Sequence, residues 1–204
     1  MSDFGQIDGE TPIDDVSDLI PNIGTRRELN EHEARNVFDA VVKYLSGEAI
    51  SPDGREFDFT WMRMLHKAMF GRVWKWAGIT RKTDLTIGVE WSRVESELYD
   101  LCESIPYFKV PPETDDIAYL HHRLVRIHPF QNGNGRWARL VAGIYQIRRC
   151  GSFINWPDDL VGTTQATSPV RAEYIAALKS ADAGNLGRLI ELHERFSKDW
   201  SAEG

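Results

Sequence analysis

His128-Pro129-Phe130-Gln131-Asn132-Gly133-Asn134-Gly135-Arg136-Trp137-Ala138-Arg139 is a short polar loop set between two helical patterns. Upstream, Ile117, Leu120, Leu124 and Ile127 recur at intervals of three, four and three, the stripe of an amphipathic helix that Asp115-Asp116 can cap. Pro129 pushes His128 toward extended backbone and ends that helix. Downstream of Gly135, the residues Leu140, Val141, Ile144 and Ile147 give the inner face of a second helix. The loop itself is chemically suggestive. Gly133 and Gly135 open backbone conformations through which successive amides converge on an anion. The following helix offers its unpaired N-H groups and positive dipole end to the same place. Arg136 and Arg139, three apart, share a helix face, and His128 stands across the loop where a base could act.

Working outward, the chain reads as all-α. Thr25-Arg26-Arg27-Glu28 has capping-box spacing and opens a helix whose stripe is Leu29, Val37, Ala40, Val41, Tyr44 and Leu45. A second amphipathic helix over 59–70 presents Trp61, Met64, Leu65, Ala68 and Met69, and Val73-Trp74-Lys75-Trp76-Ala77-Gly78 then reads as an aromatic plug of the core. Leu85, Ile87 and Val89 alternate with polar residues over 83–91, which predicts a short β-hairpin interrupted by Gly88. Helices follow over 94–105 and, after Pro111-Pro112, over the central pair. One or two more lie within 169–196. The first 24 residues are acidic and aperiodic and read as an arm. Residues 25–200 form a single domain with its core at 59–150.

With 42% apolar and 27% charged residues over 204 positions, the chain can bury one substantial core, so one site is sought. The acidic start lacks the basic, then apolar, pattern of a signal peptide, and no run of about 18 apolar residues crosses a membrane. A net charge of −7 repels phosphate backbones and argues against direct nucleic-acid binding. Cys102 and Cys150 fit neither a disulfide framework nor a paired metal motif, and read as two buried thiols in a reducing, cytoplasmic setting.

The twelve quoted residues closely resemble the signature of the Fic family, H-x-F-x-[D/E]-G-N-G-R-x-x-R, at every fixed position except the acidic one, where Asn132 stands. Trp74-Lys75-Trp76-Ala77-Gly78, then Arg81, then Ile87-Gly88-Val89 are similar to the family's aromatic core segment and target-binding hairpin. Tyr174, Ala177 and Leu178 are similar to its closing helices. The likeness covers residues 59–196, and the helix over 25–45 resembles the "mobile mystery protein B" branch. It implies the Fic fold, a helical bundle with a β-hairpin flap over the active-site loop, and a protein adenylyltransferase. His128 would be the general base that frees a target Tyr, Thr or Ser hydroxyl to attack the α-phosphate of ATP. Phe130 would anchor the loop. Gly133, Asn134 and Gly135 would form the anion hole, Arg136 would hold the β-phosphate, and Arg139 would reach the γ-phosphate. The backbone of Thr86, Ile87, Gly88 and Val89 would pair with the target.

Asn132 departs from that pattern. The family's carboxylate there binds magnesium, and an amide oxygen brings no charge, so a Mg2+ or Mn2+ site at Asn132 is weakened. Alternatives are an impaired domain that binds nucleotide or protein without turnover, or transfer of another phosphate-containing group. The family's inhibitory motif, (S/T)-x-x-x-E-(G/N), has no copy here. Inhibition is therefore expected from a separate partner, as in toxin-antitoxin pairs. His121 and His128 lie two helical turns apart, roughly 10 Å along the axis, too far for one zinc ion. His66, His121, His122 and His193 read as structural or surface residues.

Overall fold

The computed structural model describes residues 17–45, 55–109, 113–157, 160 and 168–199. Among them are seven α-helices: α1 (Arg26–Leu45), α2 (Phe59–Phe70), α3 (Val94–Ser104), α4 (Thr114–Ile127), α5 (Asn134–Cys150), α6 (Pro169–Asp182) and α7 (Gly187–Phe196). Helix α1 begins where its capping box predicts. The Glu28 carboxylate accepts the Thr25 N-H at 3.1 Å, and Thr25 Oγ1 accepts the Glu28 N-H at 3.3 Å. Its inner face, however, buries Glu33 and Asn36 beside Leu29, Ala40 and Tyr44. Helix α1 packs on α2, and α4 on α5; α6 and α7 close over them.

The central stripe behaves as its period requires: Ile117, Leu120, Leu124 and Ile127 are all buried, as are Trp137, Val141 and Ile144 across from them. The cap of α4 lies earlier than Asp115-Asp116. Glu113 is the N-cap, and its N-H donates to the Asp116 carboxylate at 3.3 Å, which places Asp116 in the third helical position. At the other end His128 is left-handed (φ 52°, ψ 60°) rather than extended. Pro129 excludes only the right-handed region strongly, and the left-handed turn lets the His128 N-H still reach the Leu124 carbonyl at 3.2 Å.

The aromatic plug is in the core, with Val73, Trp74 and Ala77 buried. Its backbone also receives the chain from 18–20: the Ile20 N-H donates to the Val73 carbonyl at 2.8 Å, and the Lys75 N-H to the Asp18 carbonyl at 3.0 Å. The predicted hairpin over 83–91 is not a pair of strands. Its residues form bends, and the two Arg81 Nη groups pin them by donating to the Thr83 and Val89 carbonyls. The cause is local. Gly88 takes φ 114°, which breaks the pleat, and Ile87 is 49% exposed where a strand face would bury it. The ladder that does form was not legible in the sequence: β1 (Ser152–Ile154) pairs antiparallel with β2 (Ser197–Asp199) in the register Ser152↔Asp199. Two smaller expectations also fail. Met64 lies on the outer edge of α2, and Cys150, at the end of α5, is exposed while Cys102 is buried. Pro111-Pro112 and residues 1–16 lie outside the described residues. No helix of the described residues is long and apolar enough to cross a membrane.

Four histidines sit inside this core or at its edge, and burial holds each neutral. It lowers His66 and His193 to about 3 and His128 to about 4, and pushes His121 well below the usual range. An unfolded histidine titrates near 6.5. Below that pH the unfolded chain binds protons the folded chain refuses, so stability present above pH 6.5 is lost as the pH falls, by about 1.4 kcal/mol per pH unit for each. Four together cost roughly 5 kcal/mol per unit against a total of about 5–15 kcal/mol. Cooperative unfolding is expected to begin near pH 5, measured by circular dichroism across a pH series; a midpoint below pH 4 would contradict it.

Candidate active site

His128 is the last ordered turn of α4, and its surroundings fix which nitrogen can act. Nδ1 lies 3.2 Å from the Val125 carbonyl. A carbonyl only accepts, so Nδ1 carries the proton and Nε2 keeps its lone pair. Burial, assisted by the nearby Arg81 charge, keeps the ring unprotonated at neutral pH. Arg81 also ties the flap to this residue: its Nε donates to the His128 carbonyl at 2.8 Å and its backbone N-H to the Pro129 carbonyl at 2.9 Å. Gly88 of the flap packs so closely that a Cβ there would lie 2.7 Å from His128 Cβ. The backbone at Gly88 therefore borders the histidine directly, with no side chain interposed.

The loop between His128 and α5 is built from inside. Phe130 is fully buried, stacked on His66 with centroids 3.7 Å apart and edge-on to Trp137 at 5.0 Å. His66 is a hub. The Gly78 N-H donates to its Nδ1 at 3.0 Å, so Nε2 bears the proton and donates to the Asn132 carbonyl at 3.0 Å. Asn134 uses its whole side chain on the loop, accepting the Phe130 N-H and donating to the Phe130 carbonyl, both at 2.8 Å. Its backbone N-H is left at the start of α5 for a ligand.

The two glycines differ. Gly133 is left-handed (φ 77°), and a Cβ would meet the Phe70 ring at 2.6 Å; Gly135 has ordinary helical φ, and a Cβ would only approach Arg139 Nη1 at 3.4 Å. So Gly135 keeps space beside an arginine rather than enabling a special backbone. The Gly133 N-H donates to Asn132 Oδ1 at 2.6 Å. The first α5 ladder bond runs from the Trp137 N-H to the Gly133 carbonyl at 3.0 Å. The N-H groups of Asn134, Gly135 and Arg136 thus stand at the open end of the helix, where an anion is favoured.

Arg136 and Arg139 do share a face, yet they are not equivalent. Arg136 Nη1 donates to the buried Glu33 at 2.6 Å, and its guanidinium lies 4.8 Å over the Phe70 ring. Glu33 accepts the Trp74 indole N-H at 2.7 Å through its other oxygen. Arg139 is more deeply buried and meets neutral groups: the Leu160 carbonyl, and Tyr174, whose ring lies 5.2 Å from it. Among the described residues no carboxylate pairs with Arg139. Glu33→Gln keeps the shape but removes the charge opposite Arg136, and is expected to lower stability by about 1–3 kcal/mol, read as a shifted denaturation midpoint at constant slope.

These groups line one cavity of about 600 Å³. Asn132, His128, the Gly133–Gly135 backbone and both arginines border it with Ile87, Gly88 and Val89 of the flap; Thr86 lies outside the lining. Six cations face it, Arg93, Arg126, Arg136, Arg139, Arg171 and Lys179, against one carboxylate, Asp182, which accepts His122 Nε2 at 2.9 Å. In a chain of net charge −7 this is a marked local inversion. The sequence reading missed Arg93, Arg171 and Lys179. A signal existed: Arg171, Tyr174, Ile175, Leu178, Lys179 and Asp182 are spaced three, one, three, one and three along α6, a single helix face. Reading only the apolar members of that face hid its cations.

The donor set does not make a resident metal site. Asn132 Oδ1 already accepts the Gly133 N-H and carries no charge, and among the described residues no group of three or more His, Cys, Asp or Glu side chains could hold an ion.

Residues 56–145 match the model of the Fic/DOC family. Among curated proteins, the chain is 27% identical over 182 residues to protein adenylyltransferase fic-1 of Caenorhabditis elegans, covering 84% of this chain and 33% of the relative. It is 29% identical over 112 residues to protein adenylyltransferase VbhT of Bartonella schoenbuchensis, covering 50% of this chain and 23% of that protein. The chain thus spans a third or less of these relatives' length. Among solved structures, the BepC protein of Bartonella tribocorum, with bound AMPPNP, superposes with a TM-score of 0.66 at 18% identity over 88% of this chain and 90% of that one. The aromatic plug, α4, the signature loop and most of α5 fall inside the matched segment, and over residues 56–145 the chain is similar to the Fic/DOC family.

Proposed function

We propose that the chain transfers AMP from ATP to a Tyr, Thr or Ser hydroxyl of a target protein. The observation that carries this reading is the neutral His128 ring, its Nδ1 proton committed to Val125, bordering the same cavity as the α5 N-terminus and Arg139. A base that must accept a proton at neutral pH needs a free lone pair and no charge; the bond to Val125 leaves the lone pair on Nε2, and burial disfavours the charge. In the step, Nε2 takes the hydroxyl proton as the oxygen bonds to the α-phosphorus. The bond from that phosphorus to the bridging oxygen breaks, and pyrophosphate leaves with the electron pair. The N-H groups of Asn134, Gly135 and Arg136 and the two guanidinium groups are arranged to hold that negative charge. Backbone at 86–89 pairs with an extended stretch of the target. A cavity of this volume lies within the range of ligand pockets, about 300–1,000 Å³. The relatives' names, protein adenylyltransferase, support the same chemistry.

No step is assigned to magnesium or manganese, because the residues at Asn132 do not fit an ion. That same feature favours the second reading, a domain that binds nucleotide without turnover. Cytoplasmic location and a separate inhibitory partner complete the proposal. Purified chain is incubated with cell lysate and ATP labelled on either the α- or the γ-phosphorus. Protein labelled from α alone is expected; label from γ alone would mean phosphoryl transfer, and label from neither, with nucleotide bound, would favour the binding domain.

A further inference from the structure

A chain of buried polar groups runs from α7 to the cavity. His193 Nε2 lies 2.9 Å from His121 Nδ1, and His121 Nε2 lies 2.9 Å from the Tyr174 hydroxyl. Tyr174 in turn packs its ring against the Arg139 guanidinium, 5.2 Å from the ring centroid. These groups come from four helices, α7, α4, α6 and α5, and Trp156 covers them edge-on, 5.6 Å from His121 and 5.2 Å from His193. Both histidines are completely buried. An apolar core would fill this space without the cost of desolvating polar atoms, and the network ends on Arg139, which unlike Arg136 has no carboxylate partner among the described residues.

The order of protons follows from Arg139. A guanidinium only donates, so the Tyr174 oxygen can face it only as an acceptor, and the Tyr174 proton then goes to His121 Nε2, 2.9 Å away. His121 then donates from Nδ1 to His193 Nε2, which leaves His193 Nδ1 as a buried atom with no hydrogen-bond partner. Every link has one donor and one acceptor, and none carries charge. A carboxylate in the place of Tyr174 would orient Arg139 equally well and cancel its charge, as Glu33 does for Arg136.

We propose that Tyr174, backed by His121 and His193, is the positioning residue for Arg139, holding it toward the terminal phosphates of the nucleotide through neutral groups alone. The proposal rests on the nucleotide reading of the cavity. Of the two signature arginines, Arg139 then brings an uncompensated positive charge, and Arg136, paired with Glu33, contributes directional N-H groups.

The test is direct binding of ATP and AMP to the full chain by calorimetry, for wild type, Tyr174→Phe, His121→Gln and His121→Leu, each checked for folding by thermal melt. Tyr174→Phe keeps the ring and loses the oxygen; it is expected to weaken ATP by about tenfold and AMP by less than about twofold. His121→Gln, whose amide can accept from Tyr174 and donate to His193, should stay near wild type, and His121→Leu should follow Tyr174→Phe. Equal losses for ATP and AMP, or none for ATP, in both Tyr174→Phe and His121→Leu would overturn the positioning role. Wild type that binds neither nucleotide would instead overturn the reading of the cavity, and this proposal with it.

Discussion

His128→Ala is expected to lower AMP transfer by about 10²–10⁴-fold while leaving nucleotide affinity within about twofold of wild type. The asymmetry follows from geometry. The lone pair on Nε2 is the proton acceptor, and removing the ring removes it; the α5 amides and Arg139, which would hold the phosphates, are anchored independently by Asn134, Phe130 and Tyr174. The His128 backbone carbonyl, which Arg81 uses to hold the flap, survives the substitution. Label transfer from α-labelled ATP, set against calorimetric binding of the same preparation, reads both quantities. Transfer undiminished in the variant would remove His128 from the role of base, and a matching loss of affinity would recast it as a binding residue.

Gly133→Ala should be the most damaging single change in the loop, lowering stability by about 2–4 kcal/mol, the sum of a left-handed backbone that alanine resists and a Cβ driven into a packed ring. The contact is at 2.6 Å with Phe70, itself fully buried on the inner end of α2, so neither partner has room to withdraw. Gly135→Ala is the control. It has ordinary φ and an approach of only 3.4 Å to the mobile end of Arg139, so the fold should persist with a melting temperature within a few degrees of wild type. Equal melting temperatures for the two variants would show that the loop backbone relaxes more freely than its packing indicates.

How much of this was legible in the sequence depended on whether a feature is local. The helix at 26–45 announces itself by period and cap, those at 59–70 and 114–127 by period, and the signature loop by its residues. The flap did not, since Leu85, Ile87 and Val89 alternate like a strand, Gly88 reads as no more than an interruption of it, and only the fold shows the Arg81 side chain pinning the segment as bends. The β1–β2 ladder joins segments about 45 residues apart and leaves no local trace. In the site, His128 and Arg139, singled out from the signature, line the same cavity. The unequal states of Arg136 and Arg139 were not, because Glu33 reaches Arg136 from 103 positions away and Tyr174 arrives from another helix. The Asn134 side chain could not have been seen to turn inward, for its partner is the backbone of its own loop.

Glu33 also has a consequence outside the cavity. It joins α1, the aromatic plug and α5 through two oxygens, so the guanidinium that faces the ligand is also a fastening of the N-terminal helix. Any anion that draws on Arg136 competes with that fastening, and thermodynamic reciprocity makes the two effects equal: the free energy by which α1 docking weakens the ligand is the free energy by which the ligand weakens α1 docking. Amide hydrogen exchange along α1, followed with and without nucleotide, measures that shared quantity without any catalytic turnover.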